Sequence, residues 1–340
     1  MSAGTYIWHD REIRFDTANK NLENRKGEYI IDNINSVEDT KGNNGDRGTL
    51  VVTNLRILWI NHKNQRLNLS IGFNTVLTIT IKKAKSKLRG STQALFIMTK
   101  FMSSRFEFIF TSLVKNSPRL FTTIQAVLRA YETSKLYRDL KLRGSIIKDN
   151  QLQLLPFEQV SNNMNDVWNL SSEQGNLGQF YITNCRVVWH ANLAQNFNVS
   201  VPYMQIKSVR IKESGRFGKA LVIETQPRCG GYILGFKVHP PEKLEKALQE
   251  INSLHRIFSV NPIFGVDFKE EEDMPSLEQL KVARVDDDVE IVDDDTNNAF
   301  AAYFADGAEK TEREITFNED IGLACETLPD GWTMQSLWKG

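Results

Sequence analysis

Gly48-Thr49-Leu50-Val51-Val52-Thr53-Asn54-Leu55-Arg56-Ile57-Leu58-Trp59 decides how this chain is read, because it occurs twice. The second copy is Gly178-Gln179-Phe180-Tyr181-Ile182-Thr183-Asn184-Cys185-Arg186-Val187-Val188-Trp189. Each copy is rich in β-branched and aromatic residues and is interrupted by Thr-Asn, a pair that tolerates tight-turn geometry. Each therefore reads as strand, turn, strand. The copies are 130 residues apart, and the same offset extends beyond the hairpin. Glu28 matches Glu158, Val37 matches Val167, Gly45 matches Gly175, and Asn68-Leu69-Ser70-Ile71 returns as Asn198-Val199-Ser200-Val201. Later the offset shrinks to 126, aligning Ala94-Leu95-Phe96-Ile97 with Ala220-Leu221-Val222-Ile223 and Phe110 with Phe236. One long period repeated once marks a duplicated domain of roughly 110 to 130 residues, since solenoid repeats run at about 20 to 50.

Around the first hairpin, strand patterns over residues 27–34, 67–71, 76–81, 94–98 and 106–110 bring the copy to about seven short strands. Ser117-Pro118 then supplies a helix N-cap followed by proline at the first helical position, and Phe121, Ile124, Val127, Leu128 and Tyr131 recur on one helical face. In the second copy Pro241-Glu242 opens a helix with Leu244, Ala247, Leu248, Ile251 and Leu254 on one face. Seven strands closed by one amphipathic helix predict a mainly β fold, a small bent barrel with a helix over its open end, used twice. Tyr6-Ile7-Trp8 and Ile13-Arg14-Phe15-Asp16 read as a short apolar anchor into the first copy, and residues 132–144 as a helical extension. The expected organisation is a first domain over 1–135, a connector over 136–152, a second domain over 153–258 and an extended tail over 259–340, with the barrels touching because the connector is short.

The 42 basic and 42 acidic residues cancel, but they are not mixed. From Asp267 onward 21 acidic residues face 6 basic ones, so a tail of net charge −15 follows a body of +15. A basic body suits phosphorylated lipid, nucleic acid or an acidic partner. The acidic runs are too charged to form a core, yet the tail carries two apolar islands. Phe300, Tyr303, Phe304, Trp332 and Trp338 in those islands are candidate docking residues, for a partner subunit or for the barrels themselves. The acidic stretches between them are expected to run along Lys207 to Lys219.

The candidate anion-binding residues are Lys82, Lys83, Lys85, Lys87 and Arg89 in the first copy and Lys207, Arg210, Lys212, Arg216 and Lys219 in the second. Flexible cations around glycines suit a headgroup bearing several phosphates, whereas the competing reading is a solvated strand edge that resists aggregation. The repeated Arg56 and Arg186 read as residues that bond loop carbonyls, and Trp59 and Trp189 as core. His62 and His190 read as surface histidines. No Gly-x-x-x-x-Gly-Lys-[Ser/Thr], His-Glu-x-x-His or Gly-x-Ser-x-Gly motif is present, and Cys185, Cys229 and Cys325 have no arginine six positions on. The expectation is a protein that is not an enzyme, with no metal and no cofactor. Without an apolar run of about 20 residues or a signal-peptide pattern it reads as intracellular with no transmembrane segment. Nucleic acid is disfavoured, because the basic residues are not interleaved with exposed aromatics.

A seven-strand barrel capped by a C-terminal helix is the pleckstrin-homology architecture, and the repeated hairpin resembles its GRAM and GLUE branches. Residues 36–48, 86–90, 105–110, 130–135, 167–172, 250–255, 262–267 and 303–307 further resemble the family of the fifth Bardet–Biedl syndrome protein. That resemblance covers nearly the whole chain. It implies a BBSome subunit, part of a coat-like complex that moves membrane proteins into and out of cilia, with other BBSome subunits as partners. It also implies a cytoplasmic, ciliary and basal-body location and peripheral attachment to phosphoinositide-containing membrane. It fixes no individual lipid contact: the lysine followed by paired arginines of many lipid-reading relatives is not clean here, since Arg56 and Arg186 are single and lie one strand later. The alternative is a structural scaffold whose barrels dock partner subunits without lipid.

Overall fold

In a computed structural model that describes residues 10–43, 45–115, 117–171, 175–268, Tyr303 and the backbone of 315–318 and 323–326, the repeated hairpin turns on its Thr-Asn pair. The Thr53 hydroxyl accepts from the backbone N–H of Leu55 (3.1 Å) and Arg56 (3.0 Å), while the Asn54 amide donates to Gly27 O and accepts from Tyr29 N, both at 3.0 Å. Thr183 serves Cys185 and Arg186 in the same way, and Asn184 bonds Phe157 O and Gln159 N. Side chains thus replace the partners that the turning backbone loses.

The first barrel runs β1 (Ile13–Phe15), β2 (Ile30–Asp39), β3 (Arg47–Thr53), β4 (Arg56–Asn61), β5 (Asn68–Gly72), β6 (Val76–Ser86), β7 (Gly90–Phe101), β8 (Ser104–Ser112) and α1 (Arg119–Thr133). Short strands follow at β9 (Lys141–Leu142), β10 (Ile147–Lys148) and β11 (Gln151–Leu152). The second barrel is β12 (Val160–Asn169), β13 (Asn176–Thr183), β14 (Arg186–Ala191), β15 (Asn198–Pro202), β16 (Ile206–Ser214), β17 (Gly218–Thr225), β18 (Ile233–Val238) and α2 (Glu242–Val260). The strand orders are β1-β5-β4-β3-β2-β8-β7-β6 and β9-β15-β14-β13-β12-β18-β17-β16, one topology used twice. Each sheet has eight strands rather than seven, because β1 pairs with β5 and β9 takes the equivalent place on β15. The helical extension expected over 132–144 is absent. The helix stops at Thr133, and a 3-10 turn over Lys135–Tyr137 leads into β9.

Both cores are built around the hairpin tryptophan. Trp59 and Trp189 are fully buried and donate Nε1–H to Val37 O (3.1 Å) and Val167 O (3.0 Å). A Cβ at Gly48 would stand 2.5 Å from Ile60 O and one at Gly178 2.0 Å from His190 O, so the glycine opening each copy is there for close approach. Leu120, Phe121, Ile124, Val127 and Tyr131 of α1, and Leu244, Ala247 and Ile251 of α2, close the barrels. Burying each large apolar side chain contributes about 1.5–3 kcal/mol. Neither helix uses a side-chain N-cap: Pro118 and Pro241 occupy the cap positions, so Ser117 lies outside the cap expected of it.

The barrels touch. Gln205 donates to Arg138 O, and Met204 joins the first core. After α2 the chain returns to the first barrel, where Phe264 and Val266 are buried and the Tyr29 hydroxyl donates to Val266 O. Gly265, at φ +66°, crosses Tyr137 where a Cβ would come within 2.1 Å of the ring.

Candidate functional site

The two basic clusters fall on equivalent hairpins, β6–β7 and β16–β17. On β6 the period of two places Lys83 and Lys85 in line with core residues Ile79 and Ile81, but beyond the barrel's end, where both are exposed. Lys82 lies on the other face with its Nζ 5.4 Å from the centroid of Phe96. Lys87 and Leu88 are exposed in the turn, Leu88 at 55%. Arg89 points elsewhere: its guanidinium donates to Ser112 O (2.8 Å) and Val114 O (3.4 Å), anchoring the turn to β8. The turn is also held by Glu38 of β2, fully buried, which accepts from Ser86 Oγ and from Lys87 N at 3.0 Å. Among the described residues Lys83 and Lys85 have no ion-pair partner, so a rigid hairpin presents two free ammonium groups beside an apolar tip. Leu88 escaped the charge-based reading, although an exposed leucine between two cations is itself a signal for an interfacial tip.

The second cluster is arranged differently. Lys207 Nζ lies 2.7 Å and Arg210 3.2 Å from the Glu224 carboxylate, and the hydrogen bonds from Lys207 and then Ser208 hold that carboxyl below its ordinary value. Lys212 and Arg216 are exposed, the latter over Phe217 (5.5 Å), while Lys219 sits opposite Glu213 across the hairpin.

Arg56 and Arg186 are fully buried. Arg56 Nε bonds Glu28 at 2.8 Å, and its other nitrogens donate to Asn21 O (2.8 Å), Glu23 O (3.1 Å) and Ser70 Oγ (3.3 Å). Arg186 repeats the set with Glu158 (2.8 Å), Gln153 O (2.9 Å) and Ser200 Oγ (3.2 Å). Burial is the largest single influence on the Glu158 carboxyl and would raise it, but the hydrogen bonds and charge of Arg186, with hydrogen bonds from Leu155 N and Thr183, together leave it lowered. The expected carbonyl contacts are present, and a buried ion pair joins them.

His190 corrects the sequence reading. It is buried and stacked on Tyr181 at 5.8 Å, its Nδ1 is 3.2 Å from Ala191 O, and burial lowers its pKa. His62 is exposed, with Nε2 2.8 Å from Thr49 Oγ1. Cys185 is buried, which pushes its thiol up to about 12.

Of the tail candidates, Phe300, Phe304, Trp332 and Trp338 lie outside the described residues, as do Tyr6-Ile7-Trp8 and the acidic stretches expected along Lys207 to Lys219. Tyr303 is described, and it is buried in the first barrel. Its ring lies 5.3 Å from Phe15 and 5.0 Å from Phe108, and its carbonyl accepts from Glu107 N at 2.8 Å. Its hydroxyl donates to Asp39 and accepts from Asn43 Nδ2 at 2.8 Å.

No helix among the described residues is long and apolar enough to cross a membrane. Residues 28–133 match the Bardet–Biedl syndrome 5 protein N-terminal PH-like domain, and residues 141–268 match its second PH-like domain. The chain is 57% identical over 339 residues to the human BBSome complex member BBS5, covering 100% of this chain and 99% of that protein. The zebrafish (Danio rerio) BBS5 is 57% identical over 333 residues, covering 98% and 97% of the two chains. The Caenorhabditis elegans BBSome complex member bbs-5 is 43% identical over 357 residues, covering 99% and 97%.

Proposed function

The chain belongs to the Bardet–Biedl syndrome 5 protein family, and on that premise we propose that it serves as a non-catalytic BBSome subunit whose first barrel holds the complex against phosphoinositide-bearing membrane. Work on membrane-protein transport at the cilium and basal body, on the cytoplasmic side and alongside other BBSome subunits, follows from the family. The lipid contact rests on one observation: Lys83 and Lys85 stand free at the first hairpin, next to exposed Leu88. Each basic side chain close to an anionic bilayer contributes about 1 kcal/mol. Two lysines and a leucine tip give weak attachment by themselves, which suits one subunit among several that engage the same surface together.

The second barrel supports the scaffold reading for its own half of the molecule. Glu224 pairs with both Lys207 and Arg210, which lowers the free charge of this hairpin, and Phe157 (77%), Ile233 (69%) and Trp168 (38%) are exposed on this half. Co-sedimentation of the full chain with phosphatidylcholine vesicles, with and without a monophosphorylated phosphoinositide, tests the division. Removing both lysines as Lys83→Ala/Lys85→Ala is expected to weaken binding by about 2 kcal/mol, roughly thirtyfold. Lys212→Ala/Arg216→Ala should leave binding near that of the wild type. Equal losses from the two pairs would reject the assignment to the first barrel, and no binding by the wild type at physiological salt would leave the scaffold reading for both.

A further inference from the structure

Where β2 ends, the edge of β8 has no further strand partner among the described residues, and the chain's own Tyr303 lies there. β2 and β8 pair through Val37, Glu38 and Asp39, and Thr40 N adds one further bond to Ile109 O at 2.9 Å. Beyond that point the Glu107 N–H faces outward, and Tyr303 O takes it at 2.8 Å. The side chain sits between Phe15 and Phe108, with the Asp39 carboxyl beneath its hydroxyl. Asp39 is fully buried, and it also accepts from Asn43 Nδ2 at 2.7 Å and Gly42 N at 3.3 Å. Gly42 is the residue that makes room: a Cβ there would stand 1.8 Å from the Tyr303 ring. Tyr303 lies in a turn, so one backbone hydrogen bond to the strand edge and a pocket for its side chain hold it.

We propose that the open edge of β8, with Asp39, Gly42, Asn43, Phe15 and Phe108, is a peptide-recognition socket selective for an unmodified tyrosine, and that its resident ligand is the chain's own segment around Tyr303. The selectivity follows from the chemistry of the floor. The tyrosyl hydroxyl donates to the Asp39 carboxyl, whose pKa burial raises, and accepts from Asn43 Nδ2, so a phenylalanine would leave both groups without that partner. A phosphotyrosine would set a phosphate carrying about −1.5 to −2 charges against a carboxylate already removed from water. Lys41, the nearby cation, is engaged with Glu107 at 2.7 Å. The socket therefore holds the tail in its unphosphorylated form and rejects the phosphorylated one.

The test uses the full chain carrying Tyr303→Ala, which empties the socket, and a fluorescent synthetic peptide of residues 297–309 in tyrosyl, phenylalanyl and phosphotyrosyl forms. The tyrosyl peptide is expected to bind saturably, the phenylalanyl peptide at least about tenfold more weakly, and the phosphotyrosyl peptide without saturation. A second measurement stands independently of that variant's folding. Hydrogen exchange of the Glu107 amide should be about tenfold faster in full-length Tyr303→Phe than in wild type, as expected for leaving a buried acceptor without its donor. Similar affinities for the tyrosyl and either other peptide, no binding of the tyrosyl peptide, or an unchanged Glu107 rate would overturn the proposal.

Discussion

Replacing Arg56 by methionine isolates what the repeated arginine does for the fold. The guanidinium is fully buried and makes four kinds of contact at once, with the Glu28 carboxylate, the carbonyls of Asn21 and Glu23, and Ser70 Oγ. Methionine fills much of the volume but leaves Glu28 buried, with the Thr53 hydroxyl (3.0 Å) and Arg25 N (3.1 Å) still donating to it. Removing one member of a buried pair costs about 3–5 kcal/mol, because the other charge stays behind without compensation. In amide hydrogen exchange by mass spectrometry, β3 and β4 should exchange roughly two to three and a half orders of magnitude faster, while β13 and β14 keep their rates. Arg186→Met should give the mirror image in the second barrel. Adding Glu28→Gln to Arg56→Met removes the stranded charge and should recover at least about 1 kcal/mol. An acceleration below tenfold, or a double variant no more protected than the single one, would refute this account of the pair. Arg56→Lys should fall between, since one ammonium cannot serve a carboxylate and two carbonyls in the fixed directions of the guanidinium fork.

Two further substitutions probe the packing around the second hairpin. Gly178→Ala places a Cβ 2.0 Å from His190 O and 2.8 Å from Trp189, and backbone cannot move aside as a side chain can. It should lower stability by about 1–3 kcal/mol or more, read as a drop in urea midpoint, and a neutral result would mean that the strands adjust freely. His190 stays neutral in the folded barrel because burial lowers its pKa, so its contribution is full above the unfolded value of about 6.5 and is lost as pH falls through the lower folded one. The drop in urea midpoint between about pH 7.5 and about pH 5.5 should shrink in His190→Phe, which keeps the ring on Tyr181, with His255 accounting for part of what remains. Equal drops in the two proteins would show that His190 titrates as freely folded as unfolded.

Much of the fold could be read because the decisive interactions are local or duplicated. Thr53-Asn54 and Thr183-Asn184 make their turns with partners a few residues away or in the adjoining strand, and the helix faces follow directly from apolar spacing. β9 could not be read, because two residues carry no period and Lys141–Leu142 become a strand only by pairing with Val199 and Ser200. His190 misled for a related reason. Alternation implies that every second residue of β14 faces water, but the connector strands β10 and β11 cover the outer face, where Ile146, Ile147 and Leu152 pack with Tyr181 and Val188. All six residues of β14 are buried in consequence. Asp39 carries no sign of its burial in the sequence, since the tyrosine that donates to it stands 264 residues further on.

Duplication also makes the two hairpins a controlled comparison, and their differences run in one electrical direction. The positions of Lys207, Arg210 and Glu224 are taken in the first barrel by Leu77, Thr80 and Met98, so the neutralising carboxylate and the cations it holds are absent together. At the tip the change is reversed. Lys83 and Lys85 stand where the second barrel has Glu213 and Gly215, and Glu213 there faces Lys219. Lys82 and Lys212, the pair that matches in both copies, therefore cannot distinguish them. The first hairpin carries its cations without an acidic partner on β6 or β7, whereas the second sets Glu224 and Glu213 among its own, with the backbone topology unchanged. A surface meant for an anionic bilayer needs unpaired cations at a protruding tip, because pairing them would cancel the long-range attraction. A surface meant for a protein needs its charges matched and apolar side chains near them, as Glu224 and its cross-strand neighbour Ile233 provide. If the proposed membrane contact holds, the duplicated barrel has kept its core while dividing its surfaces, the first for membrane and the Tyr303 contact, the second for other subunits.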